Sequence, residues 1–108
     1  MKKTIFVVMT NPIEGKEKEY NDWYSNVHLK EVVAIKGFKS AQRFKLTKAQ
    51  QSDEQPFKYM AIYEIENEDV EGTIQRLNKA ASILHMEPVI DLSRLQVSAF
   101  ESIIEAIS

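Results

Sequence analysis

The sequence predicts an α+β fold in which a four-stranded antiparallel sheet is covered on one face by two helices. Segments with strand or helix patterns follow one another in the order strand, helix, strand, strand, helix, strand. That order is the split βαβ arrangement, in which the first and third strands lie in the centre of the sheet. Because the 108 residues contain no linker or repeat, residues 1–108 are expected to form a single domain.

The first two predicted elements differ in their hydrophobic pattern. Residues 4–9 are β-branched, aromatic or otherwise apolar without polar alternation, which is typical of a strand buried on both faces. From Gly15 to Gly37 the pattern is that of an amphipathic helix, and Gly37 fits its C-terminal cap. The positions expected to share its inward face are Tyr20, Trp23, Tyr24 and Val27.

The remaining elements complete the sheet and its cover. They are a polar edge strand at 38–47, a second apolar strand at 57–65, a helix from Asn67 or Glu68 to about His85 and Met86, and a last strand at 92–104. The two continuous apolar runs therefore fall on the two strands that the topology places in the centre. Since two helices cover only one face, we expect a second copy to cover the other, which predicts a homodimer formed through the sheet face.

The charge distribution indicates pairing within the sheet rather than a nucleic-acid partner. The net charge is −2, whereas domains that bind nucleic acid are usually strongly basic. Residues 1–58 carry 11 basic and 7 acidic side chains, and residues 59–108 carry 3 and 9. Because the second and third strands form a hairpin, basic side chains are expected beside acidic ones, namely Lys39, Arg43 and Lys45 beside Glu64 and Glu66.

No targeting or membrane segment is predicted. The apolar run near the N-terminus has five residues, whereas a signal peptide needs about 7 to 15. No window approaches the roughly 18 apolar residues of a membrane span. The chain has no cysteine, which excludes a disulfide framework and a thiolate nucleophile. We therefore expect a cytoplasmic protein without a membrane partner.

One segment of the first helix combines aromatic side chains with a histidine. His28 follows Tyr24 by four residues, so its imidazole is expected to point to the same place as Trp23 and Tyr24. An imidazole with an ordinary pKa of about 6.5 exchanges protons at neutral pH, which makes His28 a candidate catalytic acid or base. The alternative is that His28 caps or packs the helix end and that Trp23 belongs to the core.

The stretch from Glu17 to Leu46 carries a motif, Trp-Tyr-x-x-x-His-Leu-x-Glu-Val from Trp23, followed by Gly-Phe at 37–38 and Ser-Ala-Gln-Arg-Phe at 40–44. It resembles the dimeric α+β barrel superfamily, particularly EthD-like and related uncharacterised bacterial proteins. The resemblance implies a ferredoxin-like fold in each subunit and a barrel formed by two sheets across a homodimer. It also implies that His28 is a pocket histidine, with Trp23 and Tyr24 as the pocket wall. Lys30 stands where many members have proline.

Four further residues are candidate ligand-binding groups. Tyr59 and Tyr63 share one face of a central strand, and they either orient a phenolic or enolic ligand or form the interface with a second copy. Arg43 suits the bidentate binding of a ligand carboxylate, unless it pairs across the strands with an acidic residue. His85, at the end of the second helix, either faces the same cavity as His28 or lies at the surface.

Two functions stay open at this point. The first is a cofactor-independent enzyme of the isomerase, cyclase, dehydratase or monooxygenase type, acting on a small aromatic or polyketide-like substrate with His28 as acid or base. The second is a non-catalytic dimeric protein that binds a small apolar or aromatic ligand or is associated with stress. A cavity of about 300 Å³ or more reached by His28 favours the enzyme, whereas a sheet–helix interface filled by Trp23 and Tyr24 favours the second.

No cofactor is expected for either function. The three glycines do not form a phosphate-binding loop. The two histidines lack the spacing of a metal site, and the superfamily's haem-binding residues have no counterparts that can be assigned in this chain.

Overall fold

The computed structural model describes residues 2–81, 84 and 88–108 of the chain. Its strands are β1 Thr4–Thr10, β2 Phe38–Lys45, β3 Tyr59–Ile65 and β4 Gln96–Glu101. They form one antiparallel sheet in the order β2-β3-β1-β4, so β1 and β3 are central as predicted. The helical elements are α1 Glu17–Trp23, a π-helical turn Tyr24–His28, α2 Leu29–Val33 and α3 Val70–Ala80. The predicted α+β fold is confirmed.

The two faces of the sheet have different surroundings. Phe6 lies opposite Tyr63 on one side and Ala99 on the other, and the central residues of this face pack against the helices. The buried residues of β1 and β3 on this face are Thr4, Phe6, Thr10, Tyr59, Ala61, Tyr63 and Ile65. The alternate residues, Ile5, Val7, Met9, Met60 and Ile62, are only half-buried. We call these two sides the covered face and the open face. A single copy therefore buries one face of the central strands.

The π-helical turn changes which residues of the first helix face inward. Tyr20, Trp23 and Tyr24 are buried as predicted, but Val27 is 37% exposed, so its predicted inward position is wrong. A π-helical turn holds more residues than an α-helical turn, because its hydrogen bonds run from i to i+5. The extra residue rotates the chain after Tyr24, and Val32 in α2 is the next fully buried position.

Gly37 lies in the turn between α2 and β2 rather than at the helix cap predicted for it. α2 ends at Val33, and the backbone N–H of Phe38 donates to the Ile35 carbonyl at 3.2 Å. Gly37 has a φ of +107°, and a Cβ at this position would lie 1.9 Å from Oγ1 of Thr73 in α3. The glycine is therefore required both by its backbone conformation and by the close approach of α3.

The later elements occur in the predicted order but begin later than predicted, with β3 at Tyr59, α3 at Val70 and β4 at Gln96. The Asp69 side chain accepts a hydrogen bond from the Gly72 backbone N–H at 3.0 Å, which caps the N-terminus of α3. α3 ends at Ala80, and the predicted helix end at 85–86 lies outside the described residues. β4 is shorter at both ends than the predicted 92–104: its strand pairing ends where Glu101 faces Thr4, the first residue of β1, although the backbone N–H of Ser102 still donates to the Lys3 carbonyl at 2.8 Å. None of the described helices is long and apolar enough to cross a membrane.

Candidate functional site

Arg43 lies on the covered face of the sheet, beneath the first helix. It is paired with Ala61 of β3, whereas Glu64 is paired with Ser40. Side chains alternate between the faces of a strand, so Arg43 and Glu64 point to opposite sides. The expected pairing of Arg43 with Glu64 or Glu66 is therefore wrong. Lys39 does form the expected kind of cross-strand pair, with its Nζ 3.2 Å from Oε2 of Glu64.

The Arg43 guanidinium is held by hydrogen bonds from one side of the helix. Its Nη1 donates to Oγ of Ser25 at 2.8 Å and its Nη2 donates to Oδ1 of Asn21 at 2.9 Å. Its Nε is buried without a hydrogen-bond partner among the residues that the structure describes. Within residues 2–81, 84 and 88–108 no carboxylate forms an ion pair with it. Arg43 is thus a partly buried cation whose hydrogen-bond acceptors, among the described residues, are neutral.

Three tyrosine rings surround this guanidinium. Its central carbon lies 4.5 Å from the ring centre of Tyr24 and 5.3 Å from those of Tyr20 and Tyr59. Such contacts are attractive because the ring faces carry partial negative charge. We call the set of Arg43, its two hydrogen-bonding partners and these rings the arginine cluster; its members are Tyr20, Asn21, Tyr24, Ser25, Arg43 and Tyr59.

The tyrosine hydroxyls of this region are already engaged. Tyr20 shares a hydrogen bond with the Thr10 hydroxyl, and Tyr24 shares one with Tyr63. Tyr59 donates to a carboxylate oxygen of Glu17 and accepts a hydrogen bond from Nδ2 of Asn21 at 3.1 Å. The phenols therefore form a fixed wall around Arg43 rather than a set of mobile groups.

The pKa values of the buried phenols are all displaced upwards. Burial is the largest cause of the raised pKa of Tyr24. The hydrogen bond that the Tyr24 hydroxyl donates to Tyr63 raises this pKa further. Burial raises the pKa of Tyr63 to about 12, although the hydrogen bond from Tyr24 and the charge of Arg43 oppose the shift. Burial likewise raises the pKa of Tyr20. These hydroxyls stay protonated at neutral pH and do not neutralise Arg43.

His28 lies at the end of the π-helical turn and packs on both predicted aromatic neighbours. Its ring is stacked on Trp23, with centroids 4.8 Å apart, and meets Tyr24 edge to face at 5.1 Å. Its Nδ1 is buried without a partner among the described residues. Burial lowers the pKa of His28, with the nearby Glu31 carboxylate opposing the shift. The imidazole is therefore neutral at pH 7, with one buried nitrogen unpaired.

The space around His28 is filled by side chains. Trp23 and Tyr24 are 6% and 2% exposed, and they occupy the layer between sheet and helix. Four surface cavities of about 210 to 720 Å³ are lined by residues other than His28. Trp23 and Tyr24 therefore fill the sheet–helix interface beside His28.

The other predicted site residues are Tyr59, Tyr63 and His85, and the structure describes the first two. Tyr59 and Tyr63 both face the helices, so the alternative that they form an interface through the open face is excluded. His85 lies outside the described residues, and whether it shares a cavity with His28 stays a prediction. No group of three or more acidic or histidine side chains in the described part of the chain is arranged to hold a metal ion.

Sequence reasoning did not identify the partners of Arg43. Asn21 and Ser25 each follow an inward-facing tyrosine by one position, at the same four-residue spacing as Tyr20 and Tyr24. Two polar residues spaced in this way line one edge of a helix beside its aromatic stripe. This spacing could have identified Asn21 and Ser25 as partners of Arg43 only if Arg43 had already been placed on the covered face.

Comparison with known proteins supports the fold and leaves the activity open. A family model described as a domain of unknown function, DUF4286, matches residues 3–107. No curated protein sequence matches the chain significantly.

Three solved structures are similar to this chain over nearly its full length. An EthD family protein from Bacillus halodurans is 11% identical with a TM-score of 0.61, covering 94% of this chain and 99% of that chain. A DABB family protein with a ferredoxin-like fold, from Mesorhizobium loti, is 12% identical with a TM-score of 0.56, covering 98% and 100%. A protein of unknown function from Nitrosomonas europaea is 15% identical with a TM-score of 0.55, covering 100% and 96%. At these identities the likeness shows the fold alone, and the predicted ferredoxin-like fold is confirmed.

Proposed function

The chain belongs to the DUF4286 family, and from that premise we propose that it is a homodimeric protein that binds a small aromatic carboxylate without transforming it. The observation that carries the proposal is Arg43, a partly buried guanidinium with no ion-pair partner in the described part of the chain and an unpaired Nε. Leaving a buried charged donor unpaired costs free energy, which a ligand oxygen would recover.

The chemistry of the ligand follows from the groups in the arginine cluster. A guanidinium presents donors in a planar fork that matches the two oxygens of a carboxylate. The rings of Tyr20, Tyr24 and Tyr59 lie within 5.3 Å of that guanidinium, so a planar aromatic ligand would meet aromatic surface beside its charged group. Ser25 is exposed and Asn21 is half-buried, so a ligand that displaces their hydrogen bonds to Arg43 would reach the guanidinium from the outer side of α1.

The proposed homodimer rests on the open face of the sheet. Ile5, Val7, Met9, Met60 and Ile62 form a continuous apolar surface that a single copy leaves half-exposed. A second copy with the same surface would remove it from water, and isologous pairing is the commonest arrangement of such a surface. Light scattering tests this part of the proposal, since a single species of 12.5 kDa at micromolar concentration would contradict it.

Calorimetric titration with salicylate tests the binding site. Arg43→Gln is expected to weaken salicylate binding by about 10-fold or more, because it removes a charge-assisted hydrogen bond. Arg94→Gln is the matched control, since it removes the same charge from an exposed position. Salicylamide, which lacks the carboxylate, is expected to bind more weakly than salicylate. Equal affinities for the two variants, or for the two probes, would contradict the assignment.

A second candidate function is proton transfer by His28, and the π-helical turn favours it. Such turns are rare and occur frequently at functional sites, and this one ends at an imidazole whose Nδ1 has no hydrogen-bond partner in the described part of the chain. A neutral imidazole of lowered pKa can accept a proton from an acidic carbon and return it.

Hydrogen exchange in phenylpyruvate tests this second candidate. In D₂O the benzylic protons of this probe exchange through its enol, and proton NMR follows their loss. Catalysis by His28 is expected to accelerate the exchange over buffer, and His28→Gln is expected to abolish the acceleration while His85→Gln retains it. An exchange rate equal to that of buffer would rule out this candidate.

A further inference from the structure

Three isoleucines lie exposed in the segment that follows β4. Ile103, Ile104 and Ile107 are 96%, 69% and 87% exposed. Single exposed apolar residues are common on protein surfaces, but a cluster of them marks an interaction site. We call residues 102–108 the isoleucine arm. Its sequence also carries one acidic residue, Glu105.

An apolar notch lies at the opposite end of the sheet, where Met9, Phe44 and Met60 of the open face meet Lys45 and Tyr59 of the covered face. Its volume is about 210 Å³, and its apolar lining residues are Met9, Phe44, Leu46, Phe57 and Met60. Phe44 and Leu46 are 39% and 36% exposed. Two basic residues, Lys45 and Lys58, also line it. We call this cavity the hairpin notch, because β2 and β3 form its floor.

The arm and the notch are complementary in chemistry. The arm presents three exposed isoleucines, and the notch presents apolar walls of a size that suits such side chains. Burying exposed isoleucine side chains in an apolar notch is favourable because it removes apolar surface from water. We propose that the isoleucine arm of one copy occupies the hairpin notch of a second copy; this inference rests on the homodimer of the proposed function.

The positions of the two features point to a second copy rather than to the same chain. Glu101, just before the arm, pairs with Thr4 at one end of β1, whereas Met9 in the notch lies near the other end. These two ends are about 17 Å apart at the rise of a β-strand. To reach its own notch, the arm would have to reverse and run back along its own sheet.

If a second copy packs on the open face, the arm can reach a notch without reversing its direction. Ile104 and Glu64 line the same cavity, so the arm begins beside the open face. Stacked sheets are about 10 Å apart. When their strands run in opposite directions, the arm end of each copy lies over the notch end of the other. The two-fold symmetry then provides two equivalent arm–notch contacts in one dimer.

Cysteine cross-linking tests the proposal, because the natural chain has no cysteine. One chain carries Ile107→Cys, a second carries Phe44→Cys, and the two are mixed and oxidised. We expect a disulfide-linked species of twice the chain mass. The control replaces Phe44→Cys by Gln75→Cys on α3, which is exposed on the other side of the molecule, and is expected to give little cross-linking.

The outcomes separate this inference from the proposed function. A dimer by light scattering that cross-links no more with Phe44→Cys than with Gln75→Cys would overturn the arm–notch contact and leave the homodimer standing. A monomer would overturn both. Placing both cysteines in one chain distinguishes the source: a product of single-chain mass that has lost both free thiols would show that the arm reaches its own notch, which also contradicts the proposal. As a second variant, Ile103→Ser with Ile104→Ser and Ile107→Ser is expected to weaken the dimer at least 10-fold, an effect in line with the loss of buried apolar area.

Discussion

The two faces of the same sheet differ in which side chains they carry and in how far those side chains are buried. On the covered face, aromatic and polar side chains form a connected network that includes Tyr20, Tyr63 and Arg43. On the open face, the neighbouring residues of the same strands, such as Val7 and Ile62, are apolar and half-exposed. The contrast teaches that this polar network lies between the sheet and the helices, where we propose a ligand site, whereas the apolar side chains of the open face lie where we propose that a second copy packs.

The largest expected difference compares two isoleucines of β3. Ile65 is 1% exposed on the covered face, whereas Ile62 is half-buried on the open face. Ile65→Ala is expected to lower the free energy of unfolding by about 2 to 5 kcal/mol, which is usual for a buried large-to-small change. Ile62→Ala is expected to cost less than half as much at protein concentrations where the chain is monomeric. Urea denaturation measures both values.

Protein concentration sharpens this comparison. If a second copy covers the open face, the cost of Ile62→Ala rises with concentration because dimerisation stabilises the folded state. The cost of Ile65→Ala should not depend on concentration. Equal costs for the two variants under dilute conditions would contradict the difference between the faces.

A smaller effect is expected from Tyr20→Phe on the covered face. The substitution keeps the ring but leaves the Thr10 hydroxyl, which is buried, without its partner. An unpaired buried hydroxyl costs about 1 to 3 kcal/mol. Adding Thr10→Val to Tyr20→Phe removes the orphaned hydroxyl and should recover part of the loss, as measured by a double-mutant cycle in urea. Strict additivity of the two changes would argue against the hydrogen bond.

The buried imidazole is expected to make stability depend on pH. Because the pKa of His28 is lowered in the folded state, the unfolded chain binds its proton first as the pH falls. This contribution is complete above pH about 6.5 and is lost as the pH falls through the folded-state pKa. Denaturation at pH 7.5 and pH 5.0 is expected to show a shallower loss for His28→Gln than for the natural chain. Identical losses of stability for the variant and the natural chain would contradict a lowered pKa of His28 in the folded state.

The smallest effect is expected on the open face, at the ion pair of Lys39 with Glu64. Their side chains are 51% and 27% exposed, and exposed pairs contribute about 0 to 1 kcal/mol. Lys39→Ala is expected to change the free energy of unfolding by less than 1 kcal/mol, about the limit for such pairs, with the change decreasing at high salt. A loss comparable with that of Ile65→Ala would contradict this assignment.

The architecture was predictable because it depends on patterns that one element carries by itself. The apolar runs of β1 and β3 and the aromatic stripe of α1 are visible in the sequence, and the order of elements then places the strands. The open face was predictable because two helices can cover only one face of the sheet, whereas the central strands are apolar on both faces. The inward position predicted for Val27 was wrong because no residue type is diagnostic of a π-helical turn. The added residue of that turn rotates the side chains that follow it.

The arginine cluster depended on a relation between elements. Charge alone paired Arg43 with the acidic residues of β3, and only the register shows that it lies opposite Ala61 and faces the helix. A shift of one residue in the register would have reversed its face. Tyr59 and Tyr63 were equally open between the two faces for the same reason.

The measurement that tests the central claim most directly is the NMR signal of the arginine Nε–H groups during titration with salicylate. The chain has three arginines, and Arg43→Lys identifies the signal of Arg43 by its loss. The Nε of Arg76 already donates to the Lys36 carbonyl at 2.9 Å, so its signal is an internal control. We expect the Arg43 signal to shift and saturate while the Arg76 signal stays in place. An unmoved Arg43 signal, or equal unsaturated shifts of all three, would contradict a carboxylate site at Arg43.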